Sequence, residues 1–434
     1  MFLFSVLHWG SCLKCSCLNI AFNQYKENIV LAVSTVVLGV IVGLSSLLLS
    51  LFLEVIEHFF LHYEETAKFP APVGATPIDR LLSVAVGGVI AAVIWWFLRT
   101  KTTPTISIKR ALAGERMPFW QTVVHVVTQI FYVGTGGSVG RELAPREAGA
   151  LLAQKWEDLC DRYHVPKLTA EDKRLLITAA AGAGFAGIYI APITGMFFSV
   201  EVLFKKLTLR TVGVSLTMSI IAMFVGSLVK GFKPYYILTD VKFSLVSFVF
   251  VLILAPLSGL AGSWFRKFFQ WAEKHQTKDN HILWQLPVAA ILTGIVAYFF
   301  PEIMGNGRSL AQLAINSHQL TMLVILVVGA LLKVVVTVLT IRAGASGGTL
   351  TPSIAVGGAL GAVLSLILAI WIPGMSIGQG AILGAGTLLA ASQQAPFMAM
   401  FMLIEICHLE SSALLPMGFG ILIATAVSKK ILSD

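Results

Sequence analysis

Long apolar runs set the tightest limit on what this chain can fold into. Six of them approach or exceed the roughly 20 apolar residues that a membrane-spanning helix needs, at residues 29–53, 82–98, 212–229, 243–264, 319–340 and 412–427. Only 12% of the residues are charged, whereas about a quarter are charged in an ordinary soluble domain. Lipid is therefore the expected solvent for most of the surface, and we predict a multi-pass membrane protein.

Shorter apolar runs lie between the long ones, and many are interrupted by glycine or proline. They fall at residues 120–133, 176–190, 286–300 and 381–391, and each is too short to span a bilayer alone. A mixture of long spans and short, broken helices is typical of transporters. The predicted fold class is therefore all-α, a bundle of many tilted and broken membrane helices.

The net charge of +9 comes from basic residues grouped between the apolar runs. The groups are Lys101, Lys109 and Arg110; Lys155, Arg162, Lys167, Lys173 and Arg174; and Lys205, Lys206 and Arg210. Basic loops of membrane proteins tend to lie in the cytoplasm, so we interpret the groups as cytoplasmic loops rather than as a nucleic-acid surface. A mild attraction for permeant anions would be a side effect of this charge.

An internal duplication relates the two halves of the chain. Residues 182–202, GAGFAGIYIAPITGMFFSVEV, and residues 384–406, GAGTLLAASQQAPFMAMFMLIEI, both begin Gly-Ala-Gly, contain Ala-Pro, and carry a glutamate nine residues after the proline. A glycine-rich loop precedes each copy, GTGGSVGRELAP at 134–145 and GASGGTLTP at 344–352. Matched, interrupted segments of this kind are the best sequence indication of a transporter's binding site.

The matched loops predict where backbone meets ligand. Helix N-termini exposed near the middle of the membrane present unpaired N–H groups and partial positive charge, which together bind anions without a full cation. The alternative interpretation is that the glycines only allow close packing of helices.

Glu142 is the candidate gating residue, because it lies inside the first glycine-rich loop between apolar segments. An ionisable group at membrane depth is expensive and is a functional hypothesis by default. Its carboxylate can occupy an anion position at a helix N-terminus and leave that position on protonation. One residue would then act as gate and proton carrier.

These residues resemble the CLC family of chloride channels and proton-coupled chloride transporters. GRELAPREAG at 140–149 is similar to the family's Gly-Lys/Arg-Glu-Gly-Pro motif, and GGTLTP at 347–352 is similar to its Gly-x-Phe-x-Pro motif. The resemblance covers about residues 30–428. It implies an inverted-repeat bundle, a homodimer with one anion pathway in each subunit, and Glu142 as the external gating glutamate.

The same resemblance implies further anion-site residues. The backbone amides of Thr349 and Leu350 are expected to coordinate the central anion, and Gly140, Gly347 and Gly348 are expected to let backbone approach it closely. Arg141 is expected either to contact ions or to form a structural salt bridge.

Several positions depart from the family pattern. Aligning IKRAL at 108–112 puts Thr103 at the family's anion-binding serine. A one-residue slip would put Pro104 there, and the threonine could instead be an ordinary helix N-cap. The family's central tyrosine has no counterpart in the chain, which leaves one side of the site more open. Val202 falls where coupled members carry an inner glutamate, which favours a channel or a loosely coupled carrier.

Two matched glutamates and one histidine are secondary candidates. Glu201 is a candidate for gating or proton transfer, and the alternative for both it and Glu405 is a structural role, capping or pairing across the repeat interface. His125 lies on the apolar stretch before the glycine-rich loop at 134–145, here named the gate loop. We interpret it as a packed interface histidine rather than a titrating one.

We divide the chain into an N-terminal tail at 1–28, a first membrane repeat at 29–232 and a second at 233–434. Cys12, Cys15 and Cys17 crowd the tail near His8, but their spacing fits no metal site, and their role stays open. No metal, cofactor or enzymatic activity is predicted.

The function predicted from the sequence is transport of chloride across the plasma membrane through a pathway gated by Glu142, as a channel or as a proton/chloride exchanger. Chloride, protons and the lipid bilayer are the expected partners, with a second copy of the chain. The alternatives are a fluoride/proton antiporter of the same fold and a membrane scaffold that does not transport.

Overall fold

The computed structural model describes residues 4–372 and 374–433, with side chains from Tyr25 onward except that of Lys230. The described part of the first half contains α1 (Phe4–Leu61), α2 (Pro77–Thr100), α3 (Ile108–Leu112), α4 (Phe119–Gly134), α5 (Leu143–Arg162), α6 (Ala170–Tyr189), α7 (Pro192–Phe197), which continues as a π-helix (Phe198–Phe204), and α8 (Leu209–Lys230).

The second half repeats this series. It contains α9 (Leu245–Lys274), α10 (Ile282–Phe299), α11 (Arg308–Ile315), α12 (Met322–Arg342), α13 (Leu350–Leu368), α14 (Ile377–Gln393), α15 (Pro396–Cys407) and α16 (Leu414–Ser433), with 3₁₀ turns at Pro301–Ile303 and Ser411–Ala413. The predicted all-α class is confirmed: the described residues form no strand, and one isolated bridge joins two loops.

Eight of the described helices are long and apolar enough to cross a membrane. The run at 286–300 was judged too short to span alone, and that prediction is wrong, because α10 begins at Ile282 and reaches 18 residues. The span of α13, Leu350–Leu368, was also not recognised, because glycines and a proline interrupt its apolar character.

The beginning of the chain differs from the predicted division. α1 starts at Phe4, so most of the predicted tail at 1–28 is helical and continuous with the first span, which begins at Tyr25. The side chains of Cys12, Cys15, Cys17 and His8 lie outside those that the structure describes.

Backbone geometry repeats between the two halves. α6 and α14 each end in a left-handed residue, Ile190 and Gln394, both with φ of 56°. The residues that follow, Ala191 and Ala395, have nearly the same φ and ψ, −131° and 78° against −135° and 78°. α1 packs on α6 and α8 as α9 packs on α14 and α16. The duplication in the sequence is therefore a duplication in structure.

The two repeats are inverted. The membrane span of α1, near its start at Tyr25, contacts the start of α8 through Asn28 and Arg210, whose Oδ1 and Nη1 atoms are 2.7 Å apart. Its counterpart α9 instead ends beside the C-terminus of α2, where Arg99 Nη1 donates to Thr277 O at 3.0 Å. The loop after α3 lies at the same end as the start of this span, because Arg116 bonds Glu157 near the end of α5 and the neighbouring Trp156 bonds Ser34 near the start of the span. Equivalent helices therefore cross the bundle in opposite directions.

The predicted basic loops gather at one end of the bundle, here named the basic end. They include the loops after α2, α5 and the π-helix, which carry Lys101, Lys167 and Lys205. The opposite end, named the outer end, is formed by the loops at 62–76, 231–244 and 300–307. Because basic loops favour the cytoplasm, we expect the basic end to be the cytoplasmic one.

The centre of each repeat is one helix made mainly of small and apolar residues. Almost every residue of α6 is buried, and the same holds for α14. Alanine and glycine let neighbouring backbones approach closely, which drives helix association in lipid. α5 packs on α6 and α13 packs on α14, so the starts of α5 and α13 are held at fixed positions inside the bundle.

Candidate anion site

The two glycine-rich loops meet inside the bundle. Gly140 and Gly348 form an isolated antiparallel bridge, in which each N–H donates to the other's carbonyl at 2.7 Å. α5 and α13 begin two or three residues after this bridge, and both have a proline in the first turn, Pro145 and Pro352. A proline is tolerated there because its missing N–H has no intrahelical partner anyway. Two helix N-termini, one from each repeat, therefore converge.

Glu142 fills the space between these two N-termini. It is the N-cap residue of α5 and is fully buried. Its Oε1 atom accepts a hydrogen bond from the backbone N–H of Leu350 at 2.7 Å, and its Oε2 atom accepts one from the Thr351 hydroxyl at 3.2 Å. The carboxylate oxygens of one repeat thus stand where an anion would be held by the first turn of α13 in the other.

Glycine at both bridge positions leaves the space in which the Glu142 carboxylate lies. A Cβ atom at Gly348 would lie 2.0 Å from Glu142 Oε1, and one at Gly140 would lie 2.2 Å from Glu142 Oε2. Both distances are far below van der Waals contact. Gly347 instead lies against Val139, so its small size serves the packing of the loops.

A hydroxyl pair borders the carboxylate. The Tyr189 hydroxyl lies 2.8 Å from Thr351 Oγ1, which itself contacts Glu142. Tyr189 is the last residue of α6, and its counterpart at the end of α14, Gln393, donates to Thr349 Oγ1 at 3.4 Å. The ends of both central helices therefore reach the start of α13 from two sides.

A buried lysine holds the gate loop from behind. Lys333, on α12, is fully buried, and its ammonium donates to Ser138 Oγ at 2.9 Å and to the carbonyls of Ile303 and Gly305 at 2.9 and 2.7 Å. An ammonium has three donors, and all three are used. Ser138 belongs to the loop that carries Glu142, so the lysine fixes the position of that loop.

Arginines flank Glu142 on both sides in the sequence and have different partners. Arg146 Nε donates to the Glu142 carbonyl at 2.7 Å and its guanidinium lies over the Phe198 ring. Arg141 is buried, and its Nη1 atom lies 3.3 Å from Glu65 Oε2. Arg141 therefore forms a salt bridge at the outer end, which was one of its two predicted roles; its contact with ions stays a prediction.

Two of the predicted anion-binding residues, Thr349 and Thr103, are not among the described hydrogen-bond donors to the Glu142 carboxylate, which are Leu350 and Thr351. Thr349 is the N-cap of α13 and directly precedes the Leu350 amide. Thr103 is exposed in the loop before α3, and the described contacts of Glu142 do not include it. The N-cap alternative for Thr103 is wrong, because α3 starts at Ile108 and Ser107 caps it. An anion-binding role for Thr103 stays a prediction.

Glu201 and Glu405 cap each other's repeat. Glu405 Oε1 and Oε2 accept hydrogen bonds from the N–H groups of Ile193 and Thr194 at the start of α7, at 2.8 and 2.7 Å. Glu201 accepts from the N–H groups of Phe397 and Met398 at the start of α15, at 3.3 and 2.8 Å. These contacts match the structural interpretation of the pair, and the gating or proton role of Glu201 stays a prediction.

His125 is packed inside the first repeat. Its Nδ1 atom accepts a hydrogen bond from Trp95 Nε1 at 3.1 Å, and its Nε2 atom lies 3.5 Å from Glu147. Gln129 donates to the same carboxylate at 2.7 Å. The histidine thus belongs to a buried polar cluster between α2, α4 and α5.

Sequence reasoning missed three groups around the gate. Lys333 could have been identified from the sequence, since an ionisable residue inside an apolar run is a functional candidate by default. Thr351 was within reach too, because it follows Leu350 in the motif. Tyr189 gave no signal, because only the fold brings the end of α6 to the start of α13.

The fold and the site together define a class of protein. An inverted-repeat membrane bundle, with broken helices that direct their N-termini from both repeats toward one buried carboxylate, is built to hold a small anion inside the membrane. The chain belongs to the voltage-gated chloride channel family, whose sequence model matches residues 87–429. With its eight candidate spans it is a multi-pass protein of the plasma membrane, from a family of channels and transporters rather than enzymes.

Bacterial relatives match most of the chain. It is 27% identical over 394 residues to the voltage-gated ClC-type chloride channel ClcB of Salmonella typhi, which covers 87% of this chain and 89% of that protein. It is 26% identical over 387 residues to ClcB of Escherichia coli O81 (strain ED1a), with the same two coverages.

Solved structures share the fold at low sequence identity. A slow cyanobacterial Cl⁻/H⁺ antiporter aligns with a TM-score of 0.76 and 21% identity, over 92% of this chain and 94% of that one. A CLC-type fluoride/proton antiporter aligns with a TM-score of 0.64 and 21% identity, over 94% and 96%. The predicted inverted-repeat bundle is thereby confirmed.

Proposed function

We propose that this protein transports chloride across the plasma membrane through a pathway that Glu142 gates. The observation that carries the proposal is the contact of the Glu142 carboxylate with the Leu350 amide and the Thr351 hydroxyl at the start of α13. A carboxylate oxygen held by a backbone N–H and a hydroxyl stands in for a permeant anion. When the carboxylate leaves this position, the donors become available to chloride.

Protonation provides the reason for the carboxylate to leave. A neutral carboxyl group loses its attraction to a helix N-terminus, and it no longer resembles an anion. The buried Glu142 would therefore exchange places with chloride as it takes up a proton. This coupling is loose or tight according to whether a second group passes the proton onward, and Val202 at the inner position favours loose coupling.

The test is flux from liposomes that contain the purified protein. Chloride efflux is measured with and without a proton gradient, for the natural chain, for Glu142→Ala and for Glu64→Gln as a control that removes a carboxylate elsewhere. We expect Glu142→Ala to change the flux and to abolish its response to the proton gradient. Absence of chloride flux in the natural chain, or identical flux in Glu142→Ala, contradicts the proposal.

Channel and exchanger are separated by the reversal potential under combined chloride and proton gradients. A potential set by chloride alone indicates a channel, and one shifted by the proton gradient indicates exchange. Glu201→Gln belongs in the same measurement. If Glu201 only caps α15, this variant keeps the reversal potential of the natural chain; a shift would assign it a part in proton transfer.

The fluoride alternative is tested by growth of a deletion strain in fluoride, with and without a plasmid carrying the natural chain.

We also propose a homodimer, which the family resemblance supports. The molecular mass of the detergent-solubilised protein, determined by light scattering with the detergent contribution subtracted, distinguishes two copies of the 46.7 kDa chain from one.

A further inference from the structure

A cavity of about 310 Å³ opens at the outer end, beside the gate. At roughly 30 Å³ for each molecule in liquid water, it has room for about ten waters. Four glutamates and three basic side chains line it. An entrance used by anions is unexpectedly rich in carboxylates, and the arrangement of one of them explains how anions can still enter.

Glu65 bridges two buried arginines at the wall of this cavity. Its Oε2 atom lies 3.3 Å from Arg141 Nη1, and its Oε1 atom lies 3.4 Å from Arg308 Nη1. The Tyr235 hydroxyl donates to Oε1 at 3.2 Å. The side chains of the three charged residues are each less than a tenth exposed. One carboxylate thus lies between two cations that come from different repeats.

Each arginine has partners besides Glu65. Arg308 donates to the Tyr235 carbonyl through Nε and Nη2 at 3.0 and 2.7 Å, and its guanidinium lies 3.9 Å from the Tyr235 ring centre. Arg141 lies over the rings of Tyr235 and Tyr189. Glu65 belongs to the loop at 62–76, and it reaches the arginines at distances longer than the roughly 2.7–2.9 Å of a strong charge-assisted hydrogen bond.

Arg141 also keeps an unused donor. Its Nε–H is buried and has no hydrogen-bond partner among the described residues. A buried donor without a partner is costly, so an acceptor placed here would be bound favourably. The Glu65 carboxylate contacts Nη1 and leaves Nε unsatisfied.

The same wall connects the cavity to the gate. Arg141 precedes Glu142 directly, and Tyr189 lines the cavity with its ring while its hydroxyl touches Thr351, a contact of the Glu142 carboxylate. These side chains link the arginine pair to the gate. An anion that leaves the arginines toward the gate therefore next reaches the position of the Glu142 carboxylate.

We propose that Arg141 and Arg308 form an outer subsite for a monovalent anion of halide size, and that the Glu65 carboxylate occupies it as a tethered competitor. An external anion enters by displacing Glu65 toward the cavity, and Glu65 returns when the anion moves on. This inference rests on the proposed function, because it concerns the route by which anions reach Glu142.

The experiment measures flux in oriented liposomes while external or internal chloride is varied separately. Glu65→Gln removes the competing charge and keeps the length of the side chain. Glu64→Gln removes the same charge from the adjacent residue, which lines the cavity but has no ion pair to the arginines. We expect Glu65→Gln to lower the external half-saturating chloride concentration about three- to tenfold, with no change on the internal side, and Glu64→Gln to behave as the natural chain.

Arg308→Gln provides the opposite change, since it removes half of the subsite. We expect it to raise the external half-saturating concentration, again without an internal effect. The inference is overturned if Glu65→Gln and Glu64→Gln have the same external dependence, or if Arg308→Gln leaves that dependence unaltered. Absence of flux in the natural chain would instead overturn the proposed function.

A binding measurement keeps the inference testable apart from transport. Crystals of Glu65→Gln and of the natural chain are soaked in bromide, and anomalous scattering is examined between Arg141 and Arg308. We expect a bromide peak there in Glu65→Gln that is stronger than in the natural chain. No peak at this position in Glu65→Gln contradicts the subsite.

Discussion

At the scale of single residues, the gate depends on the absence of side chains as much as on the presence of one. The carboxylate of Glu142 fits between the loops only because Gly140 and Gly348 have no Cβ atoms. The neighbouring loop is held by Lys333, whose three donors are all used on oxygen atoms. Each of these two features makes a prediction of its own.

Gly348→Ala is expected to expel the Glu142 carboxylate from the start of α13, because the new methyl group would lie 2.0 Å from Oε1. Its chloride flux should therefore resemble that of Glu142→Ala. The double variant Gly348→Ala/Glu142→Ala should have the same chloride flux as Glu142→Ala alone, since no carboxylate remains to be displaced. Gly418→Ala, where the nearest atom is 3.7 Å away, is the matched control. Additive effects in the double variant would count against this view.

Lys333→Met keeps the length of the side chain but leaves the Ile303 and Gly305 carbonyls without this donor, whereas Ser138 keeps the Thr337 hydroxyl as a partner. Each unsatisfied group costs about 1–3 kcal/mol, so we expect a loss of roughly 2 kcal/mol or more in the free energy of unfolding. A thermal melt in detergent should show a clearly lower midpoint than for the exposed control Lys278→Met. An unchanged midpoint would mean that water replaces the ammonium.

At the scale of helices, the two short broken elements, α7 and α15, depend on each other's repeat. Each begins at a proline after a sharp backbone turn, and neither N-cap residue makes a side-chain cap. The missing caps come from Glu405 and Glu201. A carboxylate at a helix N-terminus satisfies orphan N–H groups and complements the helix dipole.

Glu405→Ala should therefore destabilise the protein by about 1–2 kcal/mol, the usual cost of losing a helix cap, and Glu405→Gln by less. Thr194 loses a partner for its hydroxyl as well as for its N–H. The measurement is the midpoint of thermal unfolding, and the exposed Glu410→Gln serves as the control. Equal midpoints for Glu405→Ala and Glu410→Gln would rule out a capping role of this size.

The helices were largely predictable from the sequence because a helix that crosses lipid needs a long run of apolar residues. The apolar runs at 212–229 and 319–340 fall within a few residues of α8 and α12. The gate loop was predictable as well, since glycine, proline and a carboxylate between apolar segments have few other uses. The boundary of α10 was missed because Gln285 interrupts its apolar character.

At the scale of the whole molecule, the distribution of charge sets the orientation in the membrane. The basic loops are at one end and the Glu65 cavity is at the other, so the cavity should face outward. An anion outside the cell would then reach Glu142, the predicted external gate, through this cavity.

Cysteine labelling checks this orientation. In a background with the five native cysteines replaced by serine, Lys68→Cys at the outer end should react with a membrane-impermeant maleimide in intact cells. Lys278→Cys at the basic end should react only after the membrane is opened. Both positions are exposed in the structure. The reverse pattern would invert the proposed path of entry.

The outer cavity is the part of the molecule that the sequence could not predict. Glu65 lies 76 residues from Arg141 and 243 from Arg308, and of the three only Arg141 stands in one of the matched glycine-rich loops. Their meeting depends on how three loops pack once the inverted halves have joined. Local patterns specify helices and turns, but contacts of this kind follow only from the assembled tertiary structure.

The exchange of caps between Glu201 and Glu405 has a consequence for how the chain is made. When the ribosome has finished the first half, the amides at the start of α7 have no carboxylate partner, because Glu405 lies 211 residues after Thr194 in the chain. The first half is therefore incomplete inside the membrane until the second arrives. Neither half should survive as a separately expressed fragment, whereas the two halves produced together have what each other lacks.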